Sequence, residues 1–287
     1  MQEGIGQQAD SAQLMHKRRL YLQTAVGVGY PATMYGLYQL WYVGKSKDSF
    51  HFFDDSGEWQ QMDKIGHAST SYRFGRVGYH VMKECGYSER QSLWFGGLSG
   101  FAFLGSVEIF DGFSGGYGFS WSDIAANAVG SGLFVSQQYL LHEQPVALKF
   151  SFHQTRYYRY HPDLLGSRLR ENILKDYNGQ TYWLSANLRS FFPGKRYLPG
   201  WLNIAAGYGA TGMTGASDNP LMVDGKPVPK SERSAHFYLS PDIDLSRIAV
   251  RSKTLKQVFR IISVIKFPLP TIEYHSKGYL VFRGMYF

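Results

Sequence analysis

The stretch Pro145-Val146-Ala147-Leu148-Lys149-Phe150-Ser151-Phe152-His153 decides how the rest of the chain is read. Before Pro145 apolar residues recur at helical spacing, and after it they alternate, so the fold changes class there. Val146, Leu148, Phe150 and Phe152 share one face, with Lys149, Ser151 and His153 on the other. Period-two segments return at 182–188, 202–210, 235–245 and 271–287, separated by turns rich in Gly, Pro and Asp. About six antiparallel strands follow. The expected fold is α+β and membrane-associated: an apolar helical bundle, then an antiparallel sheet forming a partial or small barrel.

Working outward, the final run Gly278-Tyr279-Leu280-Val281-Phe282-Arg283-Gly284-Met285-Tyr286-Phe287 resembles the last strand of bacterial outer-membrane barrels. Arg283 stands against that reading, because it shares the parity of Phe287 and a charge on a lipid face is costly. An amphipathic helix is expected at 252–266, with Leu255, Val258, Phe259 and Ile262 on one face among Lys253, Lys256, Arg260 and Lys266. Either a lipid surface or one end of the sheet suits it. The run from Arg156 to His161 suits stacking of bases or sugars or, as the stronger alternative, an interfacial aromatic girdle, Tyr157 to Tyr160 is a candidate strand or strand extension, and Gly207, Gly209 and Gly212 read as strand glycines or a tight bend.

The expected organisation is a polar segment at 1–19, a helical domain at 20–144 and the β-rich domain at 145–287. Leu20 to Gly44 carries no formal charge and is long enough to cross a hydrocarbon core, with Tyr21, Tyr30, Tyr35, Tyr38, Trp41 and Tyr42 along it. The competing reading is a buried helix broken at Pro31. Gln91–Val107 and Ile124–Leu141 are also uncharged, and Gly96, Gly97, Ser99, Gly100, Ala102 and Gly105 allow close helix packing. The glycine-rich Asp111–Ser122 is a loop.

Composition limits the function classes. Aromatic residues make up 16% and charged residues only 18% of the chain, against roughly a quarter charged in ordinary soluble domains. Part of the surface is therefore expected to face something other than water. The net charge of +8 is spread in short clusters such as Lys17, Arg18 and Arg19, without a dense basic helix stripe, so the reading is membrane lipid and envelope protein partners and no nucleic acid. Cys85 is the single cysteine, which excludes a disulfide framework and a thiolate cluster and makes it a structural thiol. No phosphate loop, H-E-x-x-H helix or G-x-S-x-G elbow occurs, so no organic cofactor is expected.

Candidate chemistry sits in three local pairs. Asp63 and His67 are four apart, Glu108 and Asp111 three apart, and Asp123 and Asn127 four apart, so each pair shares a helix face. With Lys64, these residues are expected to form one structural polar centre, since ionisable groups beside apolar helices face a cavity or each other. Asp63, His67, Glu108, Asp111 and Asp123 are the catalytic candidates, and Asp63, His67, Glu108 and Asp111 the candidate ligands of a divalent metal. The structural alternative has Ser122 or Asp123 capping a helix, Glu108 and Asp111 ending one, and His67 bonding Asp63.

The strings Asp63-Lys64-Ile65-Gly66-His67, Glu108-Ile109-Phe110-Asp111 and Asp123-Ile124-Ala125-Ala126-Asn127 with Gly130 resemble the D-K-x-x-H, E-x-x-D/Q and D-x-x-x-N-x-x-G elements of VanZ-like and YfiM-like bacterial envelope proteins. The resemblance covers roughly residues 60–135. It implies a compact helical envelope domain, VanZ itself being associated with low-level glycopeptide resistance. Unlike the YfiM-type lipoproteins the chain has no N-terminal Cys, and unlike VanZ it carries a long β half. Together these features place it, after removal of a signal peptide, in the outer membrane of a Gram-negative envelope or on its periplasmic face. The first functional reading is a non-enzymatic accessory of an outer-membrane assembly; the second is a lipid- or cell-wall-directed hydrolase.

Overall fold

The computed structural model describes residues 2–195 and 197–286, with side chains from residue 13 onward. Phe287, the expected last residue of the final strand, lies outside the described residues, as does residue 1 of the polar leader. The protein is α+β, with helices first and an antiparallel sheet after Pro145. It divides into two compact units, 1–54 with 70–140, and 55–69 with 141–287.

In the first unit α1 (Gln2–Leu37) runs through the polar leader and past Pro31 without a break. Gly27, whose carbonyl loses its N–H partner to the proline, is exposed, so water can replace that bond. The helix is not buried: Tyr21 and Val28 stand open to solvent. α2 (Met62–Glu84) contributes its later turns to this unit. The expected helix from Gln91 is interrupted. The turn α3 (Glu89–Gln91), held by a capping box between Ser88 and Gln91, passes through the wide turn Ser92–Gly96 into α4 (Ser99–Asp111). Among the described residues, Glu89–Asp111 is the helical stretch long and apolar enough to cross a membrane. Leu20–Gly44 does not meet that test because its tyrosines and glycines dilute its hydropathy.

α5 (Trp121–Leu141) completes the unit. Close packing here requires small residues. A methyl group added at Gly100 would lie 2.1 Å from the Ser71 carbonyl oxygen, and one at Gly75 would lie 2.3 Å from that of Gly97. Ser71 Oγ donates to the Asn127 carbonyl at 2.7 Å and meets Ser131 Oγ at 2.8 Å. Cys85 is buried, as its structural reading requires.

In the second unit the strands β1 (Val146–Phe152), β2 (Gln180–Asn187), β3 (Leu202–Thr211), β4 (Met222–Val223), β5 (Lys226–Pro227), β6 (Ser234–Ile243), β7 (Leu269–His275) and β8 (Tyr279–Tyr286) appear in chain order. Six form one antiparallel sheet in the order β1-β2-β3-β6-β7-β8, and β4-β5 is a separate hairpin. Residues 264–266 add a short parallel bridge at β1, Phe150 to Ile265. The sheet is open rather than a closed barrel. It is nevertheless curled. Trp183 on β2 and Tyr286 on β8 are four strands apart, about 19 Å in a flat sheet, yet their ring centroids are 6.0 Å apart.

Short helices α6 (Pro162–Leu165), α7 (Leu169–Lys175) and α8 (Leu188–Phe191) fill the connections. The Tyr157–Arg159 segment is a single helical turn, which corrects the strand-extension reading. The amphipathic helix is α9 (Lys253–Ile262), capped by Ser252, with none of its residues buried. Residues 55–69 belong to this unit. Trp59 N–H donates to the Ala216 carbonyl, the Tyr208 hydroxyl donates to the Gln60 carbonyl, and Trp59 and Met62 pack with Leu165, Ala210 and Met213.

The polarity of the sheet is inverted. On the concave face Lys149, Ser151, Thr181, Ser185, His236, Asp242 and Glu273 are buried, joined by Trp183, Tyr238 and Tyr286. On the convex face the direct cross-strand partners form rows. Phe150, Tyr182, Tyr208, Phe237 and Tyr274 make one aromatic row ending on Leu280. Two residues along, Leu148, Leu184, Ala206, Leu239, Ile272 and Phe282 make an aliphatic row. Val146, Ala186, Ile204 and Pro241 make the next. Leu239 remains 49% and Phe282 71% exposed.

The parity objection at Arg283 disappears in β8. Leu269 pairs with Tyr286 but Thr271 with Arg283, a bulge that inserts one residue and brings Arg283 and Tyr286 to the same side.

Candidate functional site

The residues expected to form the polar centre belong to both units. Asp63, Lys64 and His67 lie in the second, and Glu108, Asp111, Asp123 and Asn127 in the first.

At the start of α2, Lys64 Nζ sits 2.7 Å from Asp55 Oδ2 and 3.0 Å from Asp63 Oδ2. The Tyr177 hydroxyl donates to Asp63, and His67 Nε2 lies 3.8 Å from Asp63 Oδ1, as the i,i+4 spacing predicts. Burial by itself would raise the Asp63 carboxyl, but His67, Lys64 and Tyr177 outweigh it and hold it below the ordinary carboxylate value. For a divalent cation this cluster offers one imidazole nitrogen and one carboxylate oxygen. The Lys64 ammonium already occupies the other oxygen, so a metal here competes with a built-in cation.

In the first unit Glu108 is buried and its Oε2 accepts the Ser120 N–H at 3.4 Å. Ser120 Oγ accepts the Asp123 N–H at 3.1 Å. Ser120 is therefore the cap of α5, not Ser122 or Asp123, because it immediately precedes the helix and its side chain reaches the third N–H. Asp111, the last residue of α4, accepts the Tyr42 hydroxyl at 2.7 Å. Asn127 is fully buried, with its carbonyl held by Ser71. Helix ends and interhelical contacts thus use much of this set.

A second polar region was not anticipated from the sequence: the concave interior of the sheet. Lys149 Nζ lies 2.6 Å from Asp242 Oδ2 and Lys266 Nζ 3.8 Å from Asp242 Oδ1, with all three side chains almost fully buried. Asp242 Oδ2 also accepts the Ser185 hydroxyl at 2.6 Å. Further along β6, His236 Nδ1 lies 2.5 Å from Glu273 Oε1, and Arg283 Nε donates to Glu273 Oε2. His236 Nε2 lies 3.2 Å from Ser234 Oγ. A cavity of about 370 Å³ opens beside them, lined among others by His153, Thr181, His236, Tyr238, Glu273 and Arg283.

The available signal was the polar series Ser234, His236, Tyr238, Ser240, Asp242 at period two, opposite Ala235, Phe237, Leu239 and Pro241. Glu273 could not be joined to it from spacing, because that contact spans 37 positions.

No curated protein and no solved structure matches the chain. Residues 51–139 match the model of a family described as "Predicted periplasmic lipoprotein (DUF2279)". This corrects the VanZ-like and YfiM-like expectation: the three motif elements fall inside the matched stretch, and the family model that fits it is DUF2279. Elements of four or five positions each, mostly local helix-face pairs and caps, are too short to discriminate between families. The family description is compatible with an envelope-associated protein on the periplasmic side.

Proposed function

We propose that the protein is a membrane-associated component of the bacterial outer envelope, with the convex face of its six-stranded sheet against lipid acyl chains. The observation that carries this is the inverted polarity: buried Lys149, Asp242, Lys266 and Glu273 inside, and exposed Leu184, Leu239, Ile272 and Phe282 outside. A sheet shaped by water turns its apolar face inward, because apolar burial is worth about 25 cal/mol per Å² and unpaired buried charge is heavily penalised. The opposite arrangement is stable where the outer solvent is itself apolar.

The order of the rows favours lipid over a protein partner. Tyr182 and Tyr208 of the aromatic row pack against Trp59 and Met62, while exposed Phe237 and Tyr274 beside the aliphatic rows make the pattern of a membrane interface beside hydrocarbon. Rows two residues apart are about 6.7 Å apart, so the three convex rows span about 13 Å. Leu202 and Ile243, partners in the next row, extend this to about 20 Å, against about 25 Å for complete outer-membrane barrels. Exposed Leu255, Val258 and Ile262 on α9, flanked by lysine and arginine, suit an anionic surface. Of the readings taken from the sequence, the accessory protein and the lipid-directed form of the lipid- or cell-wall-directed hydrolase use this lipid contact.

Flotation tests it. The full chain, diluted from mild detergent onto phosphatidylethanolamine/phosphatidylglycerol vesicles, is expected to float with them and to remain bound in 1 M salt. A folded, monodisperse chain that stays at the bottom of the gradient overturns the reading, and one that sheds lipid for a co-purifying protein replaces lipid by a protein partner.

A further inference from the structure

We infer that Ser234, His236 and Glu273 form a nucleophile, base and positioning carboxylate for hydrolysis of an acyl ester in an amphiphile. The inference deepens the lipid-facing reading, since its substrate class rests on that reading, while the hydrogen-bond chain itself does not.

The protonation pattern follows from the contacts. Glu273 receives Arg283 Nε on one oxygen and His236 on the other, and a carboxylate paired with a guanidinium is ionised and can only accept. His236 Nδ1 must therefore carry a proton, and in the neutral form of the ring Nε2 is then the acceptor. The group facing Nε2 is Ser234 Oγ at 3.2 Å, and in that tautomer the serine hydroxyl donates to it. Serine to Nε2, and Nδ1–H to a carboxylate, is the order that general-base activation of a serine needs.

The fold fixes this geometry. Ser234 and His236 are two apart on β6, so both point into the concavity, and direct pairing of His236 with His275 sets Glu273 diagonally across on β7. The adjoining cavity, about 370 Å³, is lined by His236, Glu273 and Arg283, with the buried Ser234 hydrogen-bonded to His236 rather than standing in its wall. Arg283 commits Nε to Glu273 and brings its remaining N–H donors to the same cavity, where an anionic oxygen of the substrate would be held.

The depth of the site selects the substrate. His236 lies one residue, about 3.4 Å along the strand, from Phe237 of the aromatic row, and Ser234 three residues, about 10 Å, on the side away from the aliphatic rows. Aromatic rows mark the headgroup level of a membrane. Ser234 thus lies on the headgroup side of the aromatic row, where the ester of an amphiphile would reach it with its chains lying deeper.

In the reaction Ser234 Oγ attacks the ester carbonyl carbon as His236 Nε2 takes the hydroxyl proton. The proton passes to the departing alkoxide when the C–O bond breaks, releasing the alcohol and leaving an acyl-serine. Water then attacks with His236 again accepting its proton, the acyl–Oγ bond breaks, and the proton returns to Ser234 as the carboxylic acid leaves. Glu273 holds the tautomer and does not touch the substrate.

The test uses the full chain in detergent micelles and in phosphatidylethanolamine vesicles, with an alkyl fluorophosphonate as the probe of an activated serine. Stoichiometric labelling at Ser234 is expected, abolished in Ser234→Ala, slowed at least about 100-fold in His236→Gln and unchanged in Ser217→Ala. Glu273→Gln is expected to slow labelling and to shift its pH profile, which a purely structural residue would not do. Near-UV dichroism of Trp183, packed against Tyr238 and Tyr286, confirms folding of each variant.

Folded wild-type protein unlabelled at Ser234 in both media overturns the inference, as does unchanged labelling of folded His236→Gln. Fatty-acid release from phosphatidylethanolamine or from an acylated glucosamine lipid identifies the ester's source. Labelled protein that cleaves p-nitrophenyl butyrate but neither lipid overturns the lipid substrate alone. Protein that floats with vesicles but is not labelled leaves the membrane reading standing and the triad refuted.

Discussion

In the helical unit buried Tyr72, Leu104 and Phe134 are joined by glycines and serines, with Gly75, Gly97, Gly100, Ser71 and Ser131 letting backbones approach to contact. In the sheet the inward residues include paired ions beside Trp183, Tyr238 and Tyr286, with Asp242 between Lys149 and Lys266 and Glu273 between His236 and Arg283. Both regions leave large apolar side chains outside, among them Phe95 and Val129 on the helices and Leu184 and Phe282 on the sheet. The difference follows from backbone chemistry. A helix satisfies its own N–H and C=O groups, so its neighbours need only fit closely. A curled sheet leaves a concavity that side chains must fill, and here they fill it with paired charges.

Removing one ion from the sheet interior breaks that contrast most severely. Asp242→Ala leaves two buried ammonium groups without their carboxylate and is expected to cost about 3–5 kcal/mol in urea unfolding followed by near-UV dichroism. A cost under about 1 kcal/mol would mean that water reaches Lys149 and Lys266. The convex face comes next: Leu239→Arg is expected to cost about 2–4 kcal/mol in vesicles. A water-facing Leu239 would give a change within about 0.5 kcal/mol.

The helical side is sharpened by Gly100→Ala, whose new methyl meets the Ser71 carbonyl, so a loss of about 1–3 kcal/mol is expected in thermal unfolding. A neutral result would show that the helices can separate without penalty. The smallest effect concerns pH. Asp63, at 3.8 when unperturbed, is held lower in the folded protein by His67, Lys64 and Tyr177. Its contribution is therefore present above about pH 3.8 and is lost as pH falls through the folded value. Asp63→Asn is expected to flatten the acid limb of the stability curve, and an unchanged limb would assign it to other carboxylates.

Much of the architecture was legible because it is local. The break at Pro145, the strands at 202–211 and 234–243, and the helix Lys253–Ile262 all follow from period and flanking turns. The pair Asp63 and His67 was legible as an i,i+4 face. What period two could not tell is which face meets water: it grouped Lys149 with Ser151 and Phe150 with Phe152, and only the curl assigned the lysine to the interior. The bulge that turns Arg283 inward adds one residue without a sequence marker beyond Gly284. The contacts among Ser234, His236 and Glu273 join two strands and depend on register, which no local pattern encodes.

Spin labels along β6 and its neighbours report which medium the convex face meets. In a Cys85→Ser background, single cysteines at Phe237, Leu239, Ile272 and Phe282 are labelled, reconstituted in vesicles and relaxed by oxygen or by a water-soluble nickel chelate. Labels at these convex positions are expected to respond to oxygen and to be shielded from nickel, the shielding deepening from the Phe237 row to the Leu239 row. Strong nickel relaxation at Leu239 and Phe282 in folded, vesicle-bound protein would contradict this and place the convex face in water.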